Sequence, residues 1–166
     1  MIELRLTKIV MVASLALFTF MVTYDNVTDY DSNFAFVQHV LSMDTTFSAN
    51  TLTWRSIHTP AIWHAAYALI ILGEALTCIA YTIAAACLLK TLRSAAIQFN
   101  RAKRFVYIAT ALGFLVWFTG FMVIAGEWFA MWQSSTWNGQ PAAFRFYTAL
   151  LGVAIFVGLE DRDPSA

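Results

Sequence analysis

The chain has 166 residues, 60% of them hydrophobic and only 12% charged, whereas a soluble domain carries about 25% charged residues. Ten basic and ten acidic residues leave a formal net charge of zero, which gives no electrostatic basis for a nucleic-acid partner. Lipid is therefore the expected solvent, and the lipid bilayer the first expected partner.

A bilayer core takes about 20 apolar residues per helix, and four stretches meet that need. The first, "IVMVASLALFTFMVTY" from Ile9 to Tyr24, predicts a helix over about residues 5–24. Arg5 and Lys8 give it a basic leading end, but no A-x-A-like cleavage site follows Thr23, so it reads as a retained span rather than a signal peptide. The segment from Asp25 to Pro60 reads as a loop. Within it "DSNFAFVQHVLSM" has apolar residues at Phe34, Val37 and Leu41 and predicts a short helix capped by Asp31 or Ser32. "SANTLTWRSI" is a candidate second helix, and Asn26-Val27-Thr28 matches a glycosylation sequon that carries no weight here.

The second span covers about residues 61–89, the third about 105–130 and the fourth about 142–159. Pro60 and Pro141 stand at the starts of the second and fourth, where a missing N–H costs nothing. Arg5, Lys8, Lys90, Arg93, Arg101, Lys103, Arg104 and Arg162 make eight of the ten basic residues on one side. The positive-inside rule then puts both termini in the cytoplasm. The basic loop "KTLRSAAIQFNRAKR" reads first as a topology signal, with anionic lipid as the other reading. Trp54, Trp63, Trp128, Trp132 and Trp137 fall on the outer side, as an interfacial belt or as a partner or lipid surface.

The polar residues inside the spans are the candidate site. Glu74 lies in "YALIILGEALTCIAYTIAAACLL", where a central carboxylate costs about 3 kcal/mol on insertion scales. Helical steps join it to Tyr67, Thr77, Cys78 and Tyr81, a polar stripe expected to face the bundle interior. Cys78 and Cys87 are nine residues apart, on roughly opposite helix faces, and read as free buried thiols. On the third span Gly113, Trp117, Gly120, Ile124 and Glu127 form a second stripe, its glycines permitting close approach. Glu127 and Arg145 share an outer depth and are expected to pair. His39, His58 and His64 are weak metal candidates, because imidazole is a good ligand but six residues between His58 and His64 is not one helical step. No second span carries a histidine for a haem, no phosphate loop, G-x-S-x-G or HExxH occurs, and neither a cofactor nor autonomous catalysis is expected.

The segments "NVTDYDSNFAFVQHVLSMDTTF", "FNRAKR" and "GFMVIAGEWFAMWQSSTWNGQPAAFRF" resemble a family of proteobacterial predicted small integral membrane proteins described as a domain of unknown function. The resemblance runs from Leu4 to about Val157 and implies four helices in a bacterial inner membrane. It brings no activity, substrate or catalytic residue.

The sequence thus predicts an all-α bundle of four transmembrane helices with a short helical cap in the outer, periplasmic loop. The leading functional expectation is a non-catalytic accessory or scaffold subunit of a larger membrane complex, touching other membrane subunits or a second copy of itself. The alternatives are a small homo-oligomeric channel or transporter using the Glu74 stripe, and a periplasm-facing metal- or haem-handling protein using the histidines. A water-lined cavity reaching Glu74 favours the first alternative, two or more histidines within ligand distance the second, and a sealed, dry interior with an exposed apolar flank the accessory role.

Overall fold

The computed structural model describes residues 2–163. Four helices long and apolar enough to cross a membrane occupy Ile2–Thr28, Pro60–Lys90, Ala96–Trp128 and Gln140–Gly158. Helix α1 is Ile2–Thr28, α2 Tyr30–Ser42, α3 Pro60–Lys90, α4 Ala96–Ala102, α5 Arg104–Phe114 and α6 Gln140–Gly158. Between α5 and α6 the third span continues as a π-helical segment, Leu115–Trp128. Packing runs in a ring: α1 on α3, α3 on α5, α5 and the π segment on α6, and α6 back on α1. The outward faces are apolar, with Leu17, Leu69 and Ile155 at 63%, 69% and 72% exposure. Such surface is tolerable only against lipid or another apolar partner.

The cap is α2, laid across α3 and the end of α1. It starts two residues earlier than a cap at Asp31 would allow and three earlier than one at Ser32, with Asp29 at its N-cap, because the chain barely leaves α1: Asp29 N–H still donates to Asp25 O at 2.8 Å. "SANTLTWRSI" supplies only a 3-10 turn, Thr53–Arg55. Val37, Val40, Leu41 and Met43 of the cap region join Tyr67, Phe129 and Met131 in a core cluster at this end. The main cluster, containing Val12, Tyr81, Leu88, Phe99, Val106, Trp117 and Leu150, fills the rest of the bundle.

Close approach is achieved at particular glycines. A Cβ on Gly113 would lie 2.7 Å from Leu150 Cδ2 and 3.2 Å from Thr77 Cγ2, so this position needs a hydrogen. Gly120 meets nothing nearer than its own helix's Leu115 O at 3.8 Å, so it is no helix-packing contact. The stripe Gly113–Trp117–Gly120–Ile124–Glu127 breaks for the same reason. Each π turn takes in one more residue than an α turn, as in Phe129 N–H to Ile124 O, and the face rotates until Ile124 is 49% exposed.

At the end opposite the cap, the segment after α6 is tied into the bundle. Lys8 Nζ and Lys103 Nζ both donate to Leu159 O, at 2.6 and 2.7 Å, and both pair with Asp161 Oδ2, at 2.6 and 2.5 Å. Asn100 exchanges two hydrogen bonds with the Asp161 backbone, and Asp163 accepts from Ala96 N–H at the start of α4. Arg5 donates to Leu92 O and Ser94 O. Lys8, Lys103, Arg5 and Asp161 are all buried. Three of the eight basic residues read as a topology signal, Arg5, Lys8 and Lys103, are thus engaged inside the protein, and the other five are exposed.

Candidate functional site

The site grows from one helix extension. α1 does not stop where the apolar run ends at Tyr24; it continues to Thr28 and carries Asn26 inward. Across from it on α3, Tyr67 and Glu74 are seven residues apart, two turns on one face. Tyr67 O–H donates to Asn26 O and Oδ1, at 2.9 and 3.0 Å, and Asn26 Nδ2 donates to Glu74 Oε2 at 2.7 Å. Tyr67 and Glu74 are each 2% exposed. A carboxylate buried in lipid or protein must find donors, and the amide of Asn26 supplies one. Among the described residues no side chain donates to the other carboxylate oxygen.

A cavity of about 410 Å³ descends from the cap end to this network. Its rim is formed by Asn33, Phe36, Trp137 and Asn138, its deeper wall by Val22, Trp117, Phe121 and Phe146, and Glu74 stands among its lining residues. Aromatic packing shapes the wall: Phe36 stacks on Phe121 with centroids 5.9 Å apart, and Trp117 meets Phe146 edge-on at 5.8 Å. Gly139 fits under the ring of Phe36, where a Cβ would come within 2.9 Å of Cζ. Beneath Glu74 the bundle is filled. Thr77 and Tyr81 are wholly buried, Thr77 bonds back to Gly73 O at 2.7 Å, and Tyr81 O–H lies 3.0 Å from Thr110 Oγ1.

Tyr67, Glu74, Thr77 and Tyr81 therefore share one interior face, but only the first two meet the cavity. Cys78 donates weakly to Ala16 O at 3.6 Å, and both cysteines are free. Glu127 and Arg145 are exposed, and among the described residues no ion pair joins them. The π geometry places Gly126, rather than Glu127, against Gln140 at the start of α6. The expected pair is not made.

The histidines occupy three separate settings. His39 Nδ1 contacts Asp44 Oδ2 at 2.8 Å and its ring stacks on Trp137; His58 bonds Ser56; His64 Nδ1 lies 2.8 Å from Tyr30 Oη, with Phe34 stacked at 4.1 Å. They do not converge, and among the described residues no group of three His, Cys, Asp or Glu side chains is disposed to hold a metal. The tryptophans divide. Trp54 and Trp128 meet edge-on at 6.1 Å with the Arg55 guanidinium 5.3 and 4.5 Å from their rings, whereas Trp137 belongs to the cavity rim.

Sequence reasoning missed Asn26 and the aromatic walls. A signal for Asn26 exists: Val12, Leu15, Thr19, Val22 and Asn26 follow alternating steps of three and four, so the interior stripe of α1 continues past the drop in hydropathy.

A family model described as "Predicted small integral membrane protein (DUF2165)" matches residues 4–160. No curated protein and no solved structure matches the chain. The chain belongs to that family of small integral membrane proteins.

Proposed function

We propose that this member of the family is a non-catalytic binding subunit of a bacterial inner-membrane assembly, receiving a small polar ligand in the cavity that ends at Glu74. The observation that carries the reading is the cavity itself: it opens at the cap end, reaches a buried carboxylate and stops there. A dry scaffold has no need of such a space, and small-molecule sites are concave, mostly apolar and fitted with a few placed polar groups. A channel needs a continuation, and the packed Thr77, Tyr81 and Leu150 fill the region beyond. Glu74, Asn26 and Tyr67 include no nucleophile activated by a base, which supports binding rather than turnover. The excess of basic residues at the opposite end supports a periplasmic mouth and cytoplasmic termini.

The test is thiol labelling in intact membranes. Val22 lines the deep wall, so Val22→Cys, with Cys78 and Cys87 replaced by Ala, should react with a water-soluble maleimide added from the periplasmic side and not from the cytoplasmic side. Reaction from neither side would overturn the pocket. The subunit half of the reading is tested separately, by purifying the tagged full chain in mild detergent: a particle containing this protein alone would sink it.

A further inference from the structure

We propose that the cavity selects a small organic cation, an ammonium of the primary-to-quaternary amine class; this rests on the pocket reading above and names its ligand. Three features of the geometry point the same way. The first is charge. Among the eighteen lining residues Glu74 is the one ionisable acid, and no Lys, Arg or His lines the wall. A ligand cation there faces a carboxylate and no competing protein cation. The second is the direction of the hydrogen bonds. Tyr67 donates to Asn26 and Asn26 donates to Glu74, so the relay holds the carboxylate by Oε2 alone. The other oxygen remains to meet an N–H donor or a quaternary centre.

The third feature is the wall. Six of the eighteen lining residues are aromatic: Phe36, Tyr67, Trp117, Phe121, Trp137 and Phe146. Aromatic faces carry negative quadrupole density and attract cations, most strongly where water is excluded, which is the basis of quaternary-ammonium recognition. An anion finds the opposite. At the start of α6, on the rim, three of the first four residues offer an anion nothing: Gln140 N–H is taken by Asn138 Oδ1, Pro141 has no N–H, and Ala143 N–H is taken by Gly139 O. A cation offsets the cost of keeping the buried Glu74 carboxylate charged, which a neutral ligand does not.

The experiment uses the full chain carrying Val22→Cys in the background free of Cys78 and Cys87. Two methanethiosulfonate reagents of similar size are compared, one ending in trimethylammonium and one in sulfonate, each normalised to its rate on a free thiol. The expected result is a preference of about tenfold or more for the cationic reagent, the scale of one nearby charge in a partly screened site. The preference should collapse toward unity in Glu74→Gln, which keeps an acceptor for Asn26. Tetramethylammonium should also slow labelling by an uncharged methanethiosulfonate, and Phe121→Leu, with the carboxylate intact, should weaken that protection severalfold. Equal rates for both reagents, or a faster sulfonate, would overturn the cation assignment while leaving the pocket in place. If neither reagent reacts, the pocket fails and the assignment with it.

Discussion

Asn26 Nδ2 donates to Glu74 Oε2 at 2.7 Å, bridging α1 and α3 at the deep end of an otherwise aromatic cavity. The bond joins residues 48 positions apart and ties the two helices together at the level of the cavity floor. Deleting the amide leaves a buried carboxylate short of its donor, which costs more than the bond contributed. Asn26→Leu is therefore expected to destabilise the detergent-solubilised protein by about 1–3 kcal/mol. Asn26→Leu combined with Glu74→Met should recover part of that loss, since both polar groups are then gone. The check is a double-mutant cycle on SDS-induced unfolding; additive costs would show that the two residues do not interact.

A close helix crossing yields a second expectation. Gly113 has Leu150 and Thr77 where a Cβ would go, whereas Gly152 on α6 has open space around it. Gly113→Val should cost about 1–3 kcal/mol by overpacking, and Gly152→Ala should be neutral or stabilise by about 0.4–1 kcal/mol. Thermal unfolding of the two variants in one detergent decides it, and equal effects would count against the close approach of the third and fourth spans.

The cap-end charges give a third. Glu127 and Arg145 are both exposed and unpaired with each other, so each single change to Gln or Met should move stability by no more than about 0.5 kcal/mol. Their double variant should equal the sum within about 0.5 kcal/mol. A coupling well above that would mean the two side chains do meet in the bilayer.

What the sequence disclosed follows the strength of the bilayer's demands. Runs of apolar residues long enough to cross it announce four helices, and one acid inside such a run announces Glu74, because lipid penalises anything else. The partner of that acid was hidden by the same signal. Hydropathy falls at Asp25 while the helix runs on to Thr28, so Asn26 looked like a loop residue. The third span's inward stripe was misjudged because α spacing was applied where the backbone is π-helical. The knot of Lys8, Lys103 and Asp161 lay out of reach for another reason. Each residue taken alone fits a topology rule, and only folding brings Lys8 and Asp161, 153 residues apart, within 2.6 Å.

That knot carries the last expectation. Asp161 receives two ammonium groups on Oδ2, with the Arg5 guanidinium 3.8 Å from Oδ1, and all four side chains are buried. Burial alone would push the Asp161 carboxyl up, but Lys103 and Lys8 outweigh it and hold the group below its ordinary value of 3.8. A carboxyl with a depressed folded-state pKa binds fewer protons folded than unfolded, so its contribution is complete above the unfolded value and is lost as pH falls through the folded one. Stability should thus be flat in this respect from neutral pH down to about 5 and decline below about 4. Asp161→Asn removes the carboxylate and leaves two buried ammonium groups facing each other, at a cost of about 3–5 kcal/mol near neutral pH. Its profile should lose part of the acid decline, because the group that titrates there is gone. Lys8→Met with Lys103→Met and Asp161→Leu removes three of the four buried charges, leaves Arg5 its contact with Asp163 at 3.7 Å, and should be less damaging than Asp161→Asn alone, since apolar replacements for a buried ion cluster are often neutral. Melting temperatures from pH 3 to 8 for the parent and both variants test this. An unchanged acid limb in Asp161→Asn would show that other carboxylates govern it, and a triple variant worse than the single one would show that the charges themselves hold the C-terminal segment in place.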